Sequence, residues 1–164
     1  MNKENIVEVT KKVLENMPSD WLRLTTHRLD IYNEEQAKVQ FLNEFEGIIS
    51  SEIQKEKLEA LPTAYDYIRL GHPLSCVLEW AIAKSKDVDV ESIISFASSS
   101  MPILAILRNN ALNNIQTRIL YKEGLPSNFE TKVLESIYGY SFELQKITHS
   151  NDISDFNGST ILVC

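Results

Sequence analysis

Three consecutive hydroxyls, Ser98, Ser99 and Ser100, stand directly before Met101-Pro102. They follow an apolar β-type run and open a helical one. Ser100 is of the type that caps a helix, and Pro102 suits a first helical turn because its missing N–H would be unpaired there anyway. A helix that starts just after a strand presents free N–H groups and the positive end of its dipole, and so can hold a phosphate. Two readings stand: a good N-cap and nothing more, or a cap that also cradles an anion. The second group is Tyr67 and Arg69 in Tyr65-Asp66-Tyr67-Ile68-Arg69-Leu70-Gly71-His72-Pro73. Two apart in an extended segment, the phenol and the guanidinium point the same way and can clamp a phosphate. The alternative there is a surface Arg beside a packed Tyr.

Other chemistries lack their residues. There is no glycine-rich phosphate loop, no CxxC, no HExxH and no GxSxG elbow. His27, His72 and His149 are far apart and show no metal-ligand spacing, so no metal is expected. Cys76 lies in an apolar stretch as a small core residue, Cys164 is the last residue, and two cysteines make no disulfide framework.

The elements that must position these residues change character near residue 90. Ile6, Val9, Val13 and Met17 form one helical stripe, ended by Pro18. Ser19 or Asp20 caps a short segment around Trp21 to Leu24. Val39, Leu42, Phe45, Ile49 and Ile53 predict a long amphipathic helix from Glu34 to Leu58, with Gly47 its weak point. Leu74 to Lys84 reads as a helix with Val77, Leu78, Ala81 and Ile82 as its apolar face. Beyond Glu91 short β runs alternate with helices: a strand at Ile93–Ala97, a helix at Met101–Leu112, a strand at Thr117–Tyr121, a helix at Phe129–Tyr138, a strand at Phe142–Ile147, the Asn157-Gly158 turn and a strand at Thr160–Val163. This alternation predicts an α/β fold with right-handed crossovers and a mostly parallel sheet. The division is a helical region over 1–62 and a partial α/β domain over 63–164. Ile161-Leu162-Val163 is apolar throughout, like a central strand buried on both faces, and either closes the sheet or marks a truncation.

Sixteen Lys+Arg against twenty-three Asp+Glu give a net charge of −7. That balance argues against phosphate neutralisation on nucleic acid and against an anionic membrane surface. No apolar run approaches a membrane span and the N-terminus shows no apolar leader core, so a cytoplasmic location is the expectation.

The two chemical segments together resemble a family. Tyr67-Ile68-Arg69-Leu70-Gly71-His72-Pro73 … Leu78-Glu79 is similar to the Y-S-R-x-x-N-P-T-x-x-x-L-E signature of the Cys/Met-metabolism pyridoxal-phosphate enzymes, the cystathionine synthases and lyases and their relatives. Phe96-Ala97-Ser98-Ser99-Ser100-Met101 is similar to that family's F-x-S-S-G-M-A-A segment, in the same order. The resemblance covers about 65–164 and leaves the helical first sixty residues unmatched. It implies the N-terminal part of a type I pyridoxal-phosphate large domain, in amino-acid metabolism and transsulfuration. The cofactor phosphate would then be bound by Tyr67 and Arg69 from a neighbouring subunit and by Ser99, Ser100 and Met101 in their own. His72 stands for the family's Asn, Leu74 for its Thr and Ser100 for its Gly, and Tyr121 stands near the place of the ring-stacking Tyr. The Schiff-base Lys and the Asp that pairs with the pyridine nitrogen would lie beyond residue 164, so the chain alone is expected to be inactive as a lyase or transferase. Lys122, after a strand but beside Glu123, is the only lysine placed where such a pocket would open. The implied partner is a second copy, since an open sheet edge is left, or a complementary chain carrying the rest of the domain. The alternative function is a non-catalytic α/β interaction module with a vestigial or unrelated anion site.

Overall fold

Ile6, Val9 and Val13 of the stripe lie in α1 (Lys3–Asn16), with Met17 just past its end, in the computed structural model, which describes residues 3–22, 34–62, 72–149 and 153–164. The chain divides into two units, Met1–Ser95 and Phe96–Cys164. In the first, Ile6 and Val13 are buried, with Val9 and Met17 packed beside them. Pro18 ends the helix, and its carbonyl accepts the Trp21 N–H to close one tight helical turn over Ser19–Leu22.

The long helix predicted from Glu34 to Leu58 is broken in two. α2 spans Glu34–Ile49 and α3 spans Lys55–Glu59. The break is not at Gly47 but just after the helix end, where the Ser50 and Ser51 hydroxyls donate back to the Glu46 and Ile48 carbonyls at 2.8 and 3.0 Å. Such local bonds compete with helix continuation. The buried face of α2 is also rotated from the predicted one. Phe41 and Phe45, one turn apart, are buried and stacked at 5.7 Å, while Val39 is exposed. Trp21 packs on Phe41 at 6.0 Å and Trp80 meets Phe45 edge-on at 5.5 Å, so four rings run through this core.

α4 (Pro73–Lys86) starts where Pro73 predicts. His72 is its N-cap, with Nδ1 accepting the Leu74 N–H at 3.1 Å. Cys76, Val77, Trp80 and Ala83 are buried, whereas Leu78 and Ile82, placed on the apolar face by the sequence, are exposed. Glu46 accepts from Trp80 Nε1 at 3.0 Å and pairs with Lys84 at 2.8 Å. The Lys84 bond, helped by Trp80, holds the Glu46 carboxyl below its ordinary value against a smaller opposing effect of burial.

The predicted strand at Ile93–Ala97 does not form. Its backbone groups are taken by side chains of the first unit. Lys38 Nζ donates to the Ile93 and Val90 carbonyls at 3.1 and 3.4 Å, and Glu79 Oε1 accepts the Ser95 N–H at 2.7 Å and its hydroxyl at 2.8 Å. Lys38 and Glu79 pair at 2.6 Å between them. With the Ile93 carbonyl and the Ser95 N–H so occupied, the run cannot present a continuous ladder to a sheet.

The second unit carries the sheet. α5 (Met101–Leu112) turns back through 113–116, where Asn114 takes a left-handed conformation (φ 55°) and Ile115 N–H bonds the Asn110 carbonyl at 2.8 Å. Then follow β1 (Thr117–Tyr121), α6 (Thr131–Ser136), β2 (Glu143–Lys146) and β3 (Ser159–Val163). The strand order is β2-β1-β3, all parallel, with Ile119 opposite both Leu144 and Ile161. The fold is therefore α/β, with a helical first unit and a small parallel sheet bearing helices in the second. β1 is the central, buried strand; β3, whose apolar sequence fits either a closing strand or a cut central one, pairs with β1 alone among the described strands.

Ile103 and Leu107 of α5, Phe129 and Leu134 join Ile119 and Ile161 in one cluster, so both helices cover one face of the sheet. α6 is shorter than the predicted Phe129–Tyr138. Its end closes as the Tyr138 and Tyr140 N–H groups return to the Val133 and Leu134 carbonyls at 3.3 and 3.0 Å, with Gly139 at φ +69°. No helix among the described residues is long and apolar enough to cross a membrane.

Candidate functional site

Ser99, Ser100 and Met101 all lie at the start of α5, where the sequence places them. Tyr67 and Arg69 lie outside the described residues. Ser100 occupies the N-cap position without capping through its side chain, contrary to expectation. It is buried, and its hydroxyl lies 3.0 Å from the Ser98 hydroxyl, while Ser98 Oγ accepts the Ser100 N–H at 3.3 Å. The Leu104 N–H bonds the Ser100 carbonyl at 3.1 Å. Pro102 has no N–H, which leaves those of Met101 and Ile103 as the donors this helix end offers. Ser99 is exposed.

Met101 is 47% exposed and forms one end of a groove of about 570 Å³ between α5 and α6. Met101, Leu104, Ala105 and Arg108 line it from α5, at the spacing of a single helical face. Asn128 and Glu130 line it from the chain before α6, Val133 and Leu134 from α6, and Tyr138 and Tyr140 from the chain that follows. The two tyrosine rings are parallel, 9° apart in plane, with centroids 6.0 Å apart. They stand side by side because the turn at Gly139 folds the end of α6 back on itself. Arg108 is exposed and carries no ion pair among the described residues. α5 reverses directly into β1, so its N-terminus and this end of the groove lie toward the carboxyl end of β1, the side where open α/β sheets hold ligands.

An apolar floor, two phenols and a guanidinium without an ion pair among the described residues suit a flat aromatic body bearing an acidic group, seated at the Arg108 side and away from the Glu130 carboxylate, which would repel it. Pyridoxal phosphate, which the family resemblance implies, is such a molecule. Its ring would rest on the apolar lining, and the Met101 and Ile103 amides with Arg108 would be the donors for its phosphate. The committed Ser100 hydroxyl and the unformed strand before it depart from the cradle that the resemblance implies. Arg108, Tyr138 and Tyr140 were not picked out from sequence. The Met101, Leu104, Ala105, Arg108 stripe could have shown Arg108; Tyr138 reads only as the last residue of a helix, and Tyr140 falls between predicted elements.

A second cation is buried on the other face of the sheet. Arg118, 5% exposed, donates to Ser154 Oγ, the Ser154 carbonyl and Thr160 Oγ1 at 3.1, 2.8 and 3.2 Å, and lies 4.7 Å from the centre of the Phe156 ring. Its Nε has no hydrogen-bond partner among the described residues. These contacts pin the segment before β3 across the sheet. Lys122 follows β1 and is partly exposed; its N–H bonds the Val163 carbonyl at 3.3 Å. No group of three or more His, Cys, Asp or Glu among the described residues is placed to hold a metal ion. Comparison with protein-family models, with curated proteins and with solved structures gives no match for this chain.

Proposed function

We propose that this chain works by binding, as a non-catalytic α/β module whose α5–α6 groove takes an aromatic anion. The observation that carries this reading is the Arg108 guanidinium, without an ion pair among the described residues, on the same helical face as an apolar floor opposite two stacked tyrosines. Apolar contact would hold the ring, and Arg108 with the Met101 and Ile103 amides would hold the acid. Pyridoxal phosphate is the member of this ligand class that the sequence resemblance names. In the fuller form of the proposal the chain is the cofactor-phosphate part of a sulfur-amino-acid lyase or transferase, working in the cytoplasm, and another chain brings the Schiff-base lysine. The free N–H groups at the start of α5 favour that form.

The test is titration of the whole chain with two probes, anilinonaphthalene sulfonate followed by fluorescence and pyridoxal phosphate followed by absorbance. Both should saturate. Arg108→Ala should weaken each roughly tenfold or more, the worth of a charge-assisted contact. Leu104→Glu, which sets a carboxylate in the floor, should abolish both while circular dichroism stays native. Saturation by the sulfonate alone would keep the groove and remove the cofactor. Unsaturable binding of both probes, or equal affinity in Arg108→Ala, would remove the groove reading altogether.

A further inference from the structure

We propose that the free edge of β3 is a self-association surface, through which two copies of this chain pair β3 to β3, antiparallel, about a two-fold axis at Ile161. Ser159 N–H bonds the Gln116 carbonyl at 2.8 Å and the Val163 carbonyl accepts the Lys122 N–H at 3.3 Å. Ser159, Ile161 and Val163 therefore turn their backbone groups toward β1. Thr160 and Leu162 turn theirs the other way, along an edge that no described strand pairs.

The two edges of this sheet differ. β2 carries Glu143, Gln145 and Lys146, the charged kind of strand that discourages pairing. β3 reads Ser-Thr-Ile-Leu-Val, with no charge, no proline and no glycine. Leu162 is 45% exposed, on the face away from α5 and α6. An edge of this composition lacks the usual protection and offers strong β-formers to a partner strand.

A second copy fits it because the strand complements itself. With Ile161 opposite its symmetry mate, Thr160 of each copy lies opposite Leu162 of the other. Each such pair exchanges both N–H···O bonds, and the outward-facing groups are just these two residues. Leu162 then packs against the Thr160 side chain, already held by Arg118 at 3.2 Å. No like charges meet along the strand, although each copy carries −7 overall. Salt should therefore tighten the dimer by screening the long-range repulsion.

Sedimentation velocity on the full chain across the micromolar range tests this. The wild type should show a concentration-dependent dimer, tightened by salt. Leu162→Pro deletes an N–H that points to solvent in the monomer, a place where an edge strand tolerates proline. It should weaken the dimer roughly tenfold or more, since the symmetry removes two bonds at once. Leu162→Lys puts a charge on the edge and should weaken it comparably, giving a second variant should the proline one lose its native circular dichroism. Amide exchange at Thr160 and Leu162 should slow as the wild-type concentration rises. A monomer at every concentration would assign the edge to some other partner and overturn the proposal, as would a dimer indifferent to the Leu162 variants.

Discussion

Replacing Lys38 by Met tests the network that keeps Ile93–Ala97 out of the sheet. The Glu79 side chain is 9% exposed and loses a cation at 2.6 Å, keeping only its bonds from Ser95; the Ile93 and Val90 carbonyls lose a donor. Removing one member of a fully buried ion pair costs about 3–5 kcal/mol. Lys38 is 26% exposed, so water reaches this site and the expected loss is nearer 2–3 kcal/mol, roughly. Glu79→Gln keeps an oxygen for Ser95 and strands only the better hydrated partner, at about 1 kcal/mol. The double variant buries no unpaired carboxylate and should be more stable than Lys38→Met alone by about 1 kcal/mol. Urea unfolding followed by tryptophan emission measures this in the right place, because the chain has two tryptophans and both, Trp21 and Trp80, are buried in the first unit. A domain of this size has about 5–15 kcal/mol of stability, so the shift in midpoint is large. A loss below about 0.5 kcal/mol in Lys38→Met, or a double variant no better than it, would refute the account.

Gly158→Ala should destabilise the second unit by about 1–3 kcal/mol, because a Cβ there would overlap the Gln116 carbonyl oxygen and lie 2.7 Å from the Phe156 ring. Far-UV circular dichroism should show the loss while tryptophan emission stays at its wild-type midpoint. For Glu46, whose pKa is lowered in the folded state by Lys84 and Trp80, the stabilisation is present above the ordinary value of 4.5 and lost as pH falls through the lower folded value. Glu46→Gln should therefore be slightly less stable than wild type at neutral pH, with the gap closing in acid; the side chain is half exposed, so the effect is small.

Much of the fold follows from patterns that local physics enforces. Pro18, Pro73 and Pro102 mark helix ends, and α1 ends and α4 and α5 begin beside them. The β1–α6–β2 alternation supplies the helical crossover that parallel neighbours need, and β1 and β2 do pair in parallel. What periodicity could not supply was the choice among competing apolar faces. Val39, Leu42 and Phe45 make as good a stripe as Phe41 and Phe45; the aromatic pair wins because Trp21 and Trp80 arrive from distant chain to stack on it. β3 looks buried from its composition and is an edge, because burial of a strand depends on what lies beside it and not on its own residues.

The site shows the same division between local and distant causes. The start of α5 was marked by Ser98–Pro102, since capping and proline chemistry act within one turn. Whether a β run precedes that helix was not decided nearby. Glu79 and Lys38, sixteen and more residues away, take the backbone of Val90, Ile93 and Ser95. A strand before α5 would have stretched the serines into a loop with their donors free. Without it, Ser98 and Ser100 satisfy each other, and the anion-binding capacity of this helix end falls to the amides of Met101 and Ile103. Any acid bound here must then draw most of its charge complement from a side chain. Arg108, two turns along α5 on the groove side, is the cation placed to provide it.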